Sequence, residues 1–143
     1  IKSRCLDFKT NLVNSEVMKI VNCYFDSNIY SDINLDFINN YNSPSFLISL
    51  VNFLKTNDLS TKECKIEDLL AYINKNKLYT SDEFVKEYMN LFIELFFYKN
   101  INNSKKISFK IKKYFYIKLS FVKKYNLDFE SFFLEFNHKL LSE

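Results

Sequence analysis

The one histidine in the chain, His138, is the side chain best suited to chemistry near neutral pH, because an imidazole can act there as base, acid or metal ligand. Ser131, a potential nucleophile, lies on the same general side of the predicted helix. His138 is seven positions after Ser131, so the two are about two helical turns apart and too distant for a direct hydrogen bond. A single histidine also excludes, within one chain, metal sites and mechanisms that need a histidine pair. We therefore interpret His138 as structural.

Glu87 and Glu94 are the other pair whose spacing could serve catalysis. They lie two turns apart on one strip of a predicted helix, so they would act as paired carboxylates only if that strip faced a cleft. A solvated edge is the favoured interpretation, because the polar strip of an amphipathic helix usually faces water. With no nucleophile paired to a base, the sequence predicts a protein that is not an enzyme and has no catalytic residues.

Metal and cofactor sites are also not expected. Cys5, Cys23 and Cys64 are odd in number and lack CxxC spacing, so they indicate neither a zinc cluster nor a disulfide framework. The chain of 143 residues contains no glycine. The tight turns of loops that bind phosphate, dinucleotides or calcium depend on glycine. We predict no metal ligands and no cofactor, and the cysteine usage is typical of a reducing intracellular compartment, cytoplasmic or host cytoplasmic.

Charge is concentrated in one segment. Between Glu94 and Asp128 there are nine lysines and no acidic residue. Most of these lysines fall opposite the apolar side of a predicted helix, and the basic face consists of Lys105, Lys106, Lys110, Lys112, Lys113, Lys123 and Lys124. Such a face could bind nucleic acid or an anionic membrane. The net charge is only +3 and the chain has one arginine, so a solvated face is the simpler interpretation.

The elements that would position these residues are helical. Apolar residues recur at helical spacing through nearly the whole chain, which predicts an all-α fold: a single compact bundle of about seven helices over residues 1–143, with residues 1–14 as a loose N-terminal arm. The predicted first helix begins near Ser15, and a short second helix follows Leu35. Ser43-Pro44 is a strong start signal for the third helix. Ser60 with Glu63 has capping-box spacing before the fourth.

A hydrophobic central helix, residues 84–98, is the most unusual prediction. Its apolar residues cover more than half of the helical circumference and leave a narrow polar strip of Glu87, Asn90 and Glu94, so other helices are expected to surround it. A sixth helix, residues 105–125, has its predicted inner face at Ile107, Ile111, Tyr114, Phe115, Phe121, Val122 and Tyr125. A seventh uses Asp128 as its cap, and its core face is Phe129, Phe132, Phe133, Phe136 and Leu140.

The order of these helices resembles the poxviral relatives of the Bcl apoptosis regulators. Residues 15–25 are similar to their first helix, residues 84–98 correspond to their central helix, and residues 107–141 to their closing pair. The resemblance implies a host-modulating protein that binds a partner protein through an apolar groove. The Asn-Trp-Gly-Arg motif of cellular members is missing, since the chain has neither Trp nor Gly.

If such a groove exists, the third and fourth helices are expected to form it, because short helices usually rim grooves of this kind. Its predicted lining is Leu47, Leu50, Val51, Leu54, Ile66, Leu70 and Ile73. The leading interpretation is therefore a non-enzymatic protein–protein interaction module, a host-modulating or virulence factor of a virus or parasite. The Lys, Asn, Ile, Phe and Tyr content is typical of an AT-rich genome.

A third interpretation comes from residues 25–37, which resemble an EF-hand loop. Asp26, Asn28 and Ile33 match its first, third and eighth positions. Ser31 replaces the glycine of the sixth position and Phe37 the bidentate glutamate of the twelfth, so such a loop would not bind calcium. The resemblance implies a calcium-independent binder of a target helix, similar to a myosin light chain, and convergence of Asp26, Asn28 and Tyr30 on a cavity would favour it.

Overall fold

The fold follows from where each helix can begin and end. The computed structural model describes residues 12–39, 43–102, 109–125 and 127–141. In these ranges the chain forms helices and no strand, which confirms the predicted all-α class. The helices are α1 (Asn14–Phe25), α2 (Pro44–Thr56), α3 (Ile66–Lys75), α4 (Leu78–Ser81), α5 (Glu83–Asn102), α6 (Phe109–Lys124) and α7 (Phe129–Phe136).

Two helix starts are confirmed at atomic detail. The Ser43 hydroxyl accepts a hydrogen bond from the backbone N–H of Phe46 at 3.2 Å, and Pro44 occupies the first turn of α2, where its missing N–H costs no hydrogen bond. The Asp128 carboxylate accepts from the N–H of Glu130 at 2.9 Å. Side-chain oxygens thus replace the backbone partners that the first turns of α2 and α7 lack.

Other helices begin at residues different from the predicted ones. Ser60 does accept from the N–H of Glu63 at 3.2 Å, but this bond closes a turn, and α3 begins later, where Asp68 accepts from the N–H of Lys65 at 3.1 Å. The predicted second helix is only a 3-10 turn, Leu35–Phe37. Helix α1 begins at Asn14, one residue before the predicted cap. Residues 1–11, most of the predicted arm, lie outside the described ranges.

Helix α5 is the hydrophobic centre, as predicted. It packs against α2, α3 and α4, and its polar strip, Glu87, Asn90 and Glu94, is exposed. Its fully buried apolar residues are Val85, Met89, Phe92, Ile93, Leu95, Phe96 and Phe97. Rings from three helices meet around its C-terminal half: Phe136 of α7 lies 5.1 Å from Phe96 and 5.2 Å from Phe115 of α6, both edge to face, the geometry that aromatic pairs prefer.

The predicted partner groove is wrong. Every residue assigned to it is 0% exposed, namely Leu47, Leu50, Val51, Leu54, Ile66, Leu70 and Ile73. The physical reason is that α2 and α3 turn these side chains inward, α2 against α1 and α5 and α3 against α5. They form the core, and burying their apolar surface stabilises the fold instead of offering a site.

Candidate functional site

Helix α6 has one packed side and one open side. Phe115, Leu119 and Val122 are buried, and α6 contacts α7 along this side. The Phe115 ring also lies 6.4 Å from that of Phe97 on α5. These contacts fix the rotation of α6 about its axis and therefore determine which residues face away from the bundle.

The open side of α6 is largely apolar. We use the name α6 stripe for Tyr114, Ile117 and Phe121 of α6 together with Tyr125, which directly follows the helix; these residues are 44–58% exposed. Spacings of three and four residues place all of them within about 80° of the helical circumference. The Phe121 and Tyr125 rings are in contact, with centroids 5.9 Å apart. The prediction that Tyr114, Phe121 and Tyr125 belong to the inner face is wrong, because the packed side is centred on Phe115 and Leu119.

Lysines border the α6 stripe. Lys113 and Lys124 are exposed and lie about 20° apart around the helix, along one edge of the stripe. Lys110 is exposed at its N-terminal end. Lys112 instead lies half-buried on another side, with its Nζ 5.7 Å from the Tyr116 ring. Of the rest of the predicted basic face, Lys105, Lys106 and the side chain of Lys123 lie outside the described part of the structure.

Among the described residues, one acid of α7, Glu135, contacts this side of α6, and its negative charge is already compensated by lysines. Glu135 of α7 accepts hydrogen bonds from Lys118 and, at 2.5 Å, from Lys139. It also accepts one from the Tyr114 hydroxyl at 2.8 Å. The hydrogen bond from Lys118, together with that from Lys139, lowers the pKa of Glu135 to about 2. Glu135 thus joins α6 to α7 and is already paired with Lys118 and Lys139. Among the described residues, Lys113 and Lys124 have no acidic partner.

A second exposed apolar row occurs on α1. Val13, Ile20 and Tyr24 are each at least two-fifths exposed, and only Val17 and Val21 of this helix are fully buried. Glu16 and Lys19 lie on the same helix with opposite charges. The row on α1 therefore lacks the single-sign border that distinguishes the α6 stripe.

An open cleft of ≈ 470 Å³ lies beside Val122 of α6. It is lined by Tyr79, Thr80, Lys86, Val122, Leu127, Asp128 and Phe129. Its polar groups are already used in part: the Thr80 hydroxyl donates to the Lys77 carbonyl at 2.8 Å, and Asp128 caps α7. Because the Thr80 hydroxyl is bonded to a backbone carbonyl and Asp128 to a backbone N–H, we assign no chemistry to this lining.

The residues singled out for chemistry do not form a site. His138 is exposed in the π-turn Asn137–Leu141, and the Ser131 hydroxyl is directed to the Asp128 carbonyl at 3.4 Å. Glu87 and Glu94 are exposed along the polar strip of α5. Within the described ranges, no group of three or more His, Cys, Asp or Glu side chains could hold a metal ion.

The EF-hand-like segment is organised differently from a ligand loop. Asp26 ends α1 in the left-handed conformation with φ 49°. The Asn28 side chain accepts from that of Asn22 at 2.9 Å, and the backbone N–H of Tyr30 donates to the same Asn22 at 2.9 Å. Asn22 therefore holds this segment as a folded turn, which does not favour the interpretation as a light-chain-like binder.

Comparison with known proteins does not extend these observations. No protein-family model matches the chain, and no curated protein or solved structure matches it. The resemblance to poxviral Bcl-like proteins therefore stays a prediction. No helix in the described ranges is both long enough and apolar enough to cross a membrane.

Proposed function

We propose that this protein is a non-enzymatic interaction module that binds a partner protein through the α6 stripe. One observation carries the proposal: four apolar side chains at helix-packing spacing stay about half exposed, although the same helix buries Phe115, Leu119 and Val122 on its packed side. Exposed apolar residues that are contiguous, in contrast to scattered ones, are typical of interaction surfaces. The proposal keeps the function expected from the sequence and moves its site from α2 and α3 to α6.

The shape of the surface favours a protein over a membrane or nucleic acid. Helices that lie in a bilayer surface have a broad apolar face, whereas a stripe about 80° wide has the width of a helix–helix seam. Nucleic-acid sites usually rely on arginine for bidentate contacts, and the chain has one arginine, Arg4. Because Lys110, Lys113 and Lys124 face the same side as the stripe, binding of a nucleic acid or an anionic membrane is retained as the second candidate.

The proposed setting is a reducing intracellular compartment, where the protein would modulate a host pathway. Its support is the resemblance in helix order to poxviral Bcl-like proteins and the cysteine usage, with Cys23 and Cys64 both free thiols. We do not propose a groove of the Bcl type, because the residues that would line it are in the core.

The test is an affinity capture that compares three forms of the chain. The wild type, an Ile117→Ser/Phe121→Ser variant and a control, Leu35→Ser, are used as baits in nuclease-treated lysate and washed at low and high salt. Leu35 is 82% exposed on a different element, so the control removes a comparable exposed apolar side chain. Circular dichroism melts establish that all three forms are folded.

We expect a stoichiometric protein that the wild type and Leu35→Ser retain at high salt and that the double variant loses, because an apolar contact does not weaken with salt. Equal retention by the double variant would contradict the proposal. Capture of only salt-labile nucleic acid or lipid, which signals polyanion binding, would replace the proposal by the second candidate.

A further inference from the structure

Resting on the proposed function, we infer that the partner segment of the α6 stripe is an acidic amphipathic α-helix. The first argument is spacing. Tyr114, Ile117, Phe121 and Tyr125 follow one another at intervals of three, four and four residues. This is the pattern by which one helix packs along another. The stripe extends about 16 Å along the α6 axis, the length that three turns of a partner helix would cover.

The second argument is charge. Lys113 and Lys124 are exposed on one edge of the stripe, and Lys110 is exposed at its end. On the opposite edge, Lys118 is bound to Glu135. A partner helix with glutamate or aspartate beside its apolar row would therefore meet Lys113 and Lys124, which have no acidic partner among the described residues, on one edge. On the other edge it would meet lysines that already share Glu135. This asymmetry also predicts that the acidic side of the partner helix faces the edge with Lys113 and Lys124.

The same charges argue against a second copy of this chain as the partner. A symmetric pairing of two stripes would bring equivalent lysine-bordered surfaces together. No acidic residue lies between Glu94 and Asp128 to compensate them, and like charges across an interface disfavour that pairing. A different chain with acidic flanks is the complementary occupant.

The experiment uses synthetic peptides of about three heptads. One has leucine at the seam positions and glutamate at the flanking positions; a second keeps the leucine seam with lysine flanks. Binding of each labelled peptide to the full chain is followed by fluorescence anisotropy. Phosphatidylserine vesicles and a single-stranded oligonucleotide are titrated in parallel.

Two charge-reversed variants provide the matched comparison. Lys113→Glu/Lys124→Glu changes the border of the stripe. Lys19→Glu/Lys75→Glu changes two exposed lysines on α1 and α3, so both variants have the same net charge. We expect the glutamate-flanked peptide to bind the wild type and the control equally and to bind the stripe variant about tenfold more weakly, because reversed border charges repel it.

Three results would overturn the inference. These are equal binding of the lysine-flanked peptide, unchanged binding by the stripe variant, or tighter binding of vesicles or oligonucleotide through the same two lysines. The peptide experiment can contradict the inference while the Ile117→Ser/Phe121→Ser variant still loses the captured protein. In that case the stripe binds a protein partner, but not an acidic helix. If the stripe variants change neither peptide binding nor protein capture, the proposed function itself is wrong.

Discussion

The ammonium group of Lys99 lies 2.6 Å from a carboxylate oxygen of Asp36. The same ammonium donates to Glu67 of α3 at 2.6 Å, and the same Asp36 oxygen accepts from the backbone N–H of Ile66 at 3.1 Å. One partly buried cluster therefore ties α5 to a 3-10 turn and to the first turn of α3. Burial would lower the pKa of Lys99, but the hydrogen bonds to Asp36 and Glu67 outweigh it and raise that pKa.

Replacing Lys99 by methionine should destabilise the fold by about 2 kcal/mol, since two carboxylates would lose their charged partner while remaining mostly buried. Lys86→Met is the matched control, because Lys86 is an exposed lysine on the same helix. Chemical denaturation of both variants measures the free energy of unfolding. An equal, small effect of the two substitutions would show that the cluster contributes no more than a surface charge.

Local signals in the sequence predicted much of the fold. Proline and serine at the start of α2 act through neighbouring backbone atoms, so they can be recognised without knowing the tertiary structure. The position of α5 at the centre could also be predicted, because a helix that is apolar on most sides has few stable places except the interior. Its polar strip marks the side that faces water.

The site could not be located in the same way. Spacing shows that Leu50 and Ile117 each belong to an apolar row, but whether another helix covers that row depends on contacts distant in sequence. Leu50 is covered by neighbouring helices and Ile117 is not. For the same reason, Lys99 could not be separated from the other lysines of its segment: its partners, Asp36 and Glu67, are 63 and 32 residues away in sequence.

Leu50→Ala should cost about 2–5 kcal/mol, the range for removing a buried leucine side chain from a packed core. Leu35→Ala, the same substitution at an exposed position, should change the stability by less than about 0.5 kcal/mol. Thermal and urea unfolding of the two variants give the comparison. If Leu50→Ala were as well tolerated as Leu35→Ala, the groove assigned to α2 from the sequence would have to be reconsidered.

Cys64 should react only when the protein unfolds. Burial, with a further contribution from Asp68 and Asp36, raises the pKa of the Cys64 thiol to about 11, so little of the reactive thiolate exists near pH 8. Cys23 is exposed on α1. In a Cys5→Ser variant, a disulfide reagent should modify one thiol of the native protein quickly and the other only after denaturant is added. Modification of both thiols at one rate under native conditions would disagree with the burial of Cys64.

Glu135 should make part of the stability depend on pH in the acid range. Hydrogen bonds from Lys118 and Lys139 lower the pKa of Glu135 from 4.5 to about 2. A carboxyl whose pKa is lower in the folded state stabilises the fold above its unfolded-state pKa, and this stabilisation is lost as the pH falls through the folded-state pKa. Glu135→Gln removes the ionisable group but keeps a side chain of similar size.

The free energy of unfolding of Glu135→Gln should therefore lie below that of the wild type at neutral pH. The difference should shrink between about pH 4.5 and pH 2 and be lost at the acid end of that window. Glu130→Gln is the control, because Glu130 forms a more exposed pair with Lys77, and exposed pairs contribute little. Urea unfolding at several pH values measures both differences. A Glu135→Gln difference that did not change across this window would mean that the charge of Glu135 does not hold α6 against α7.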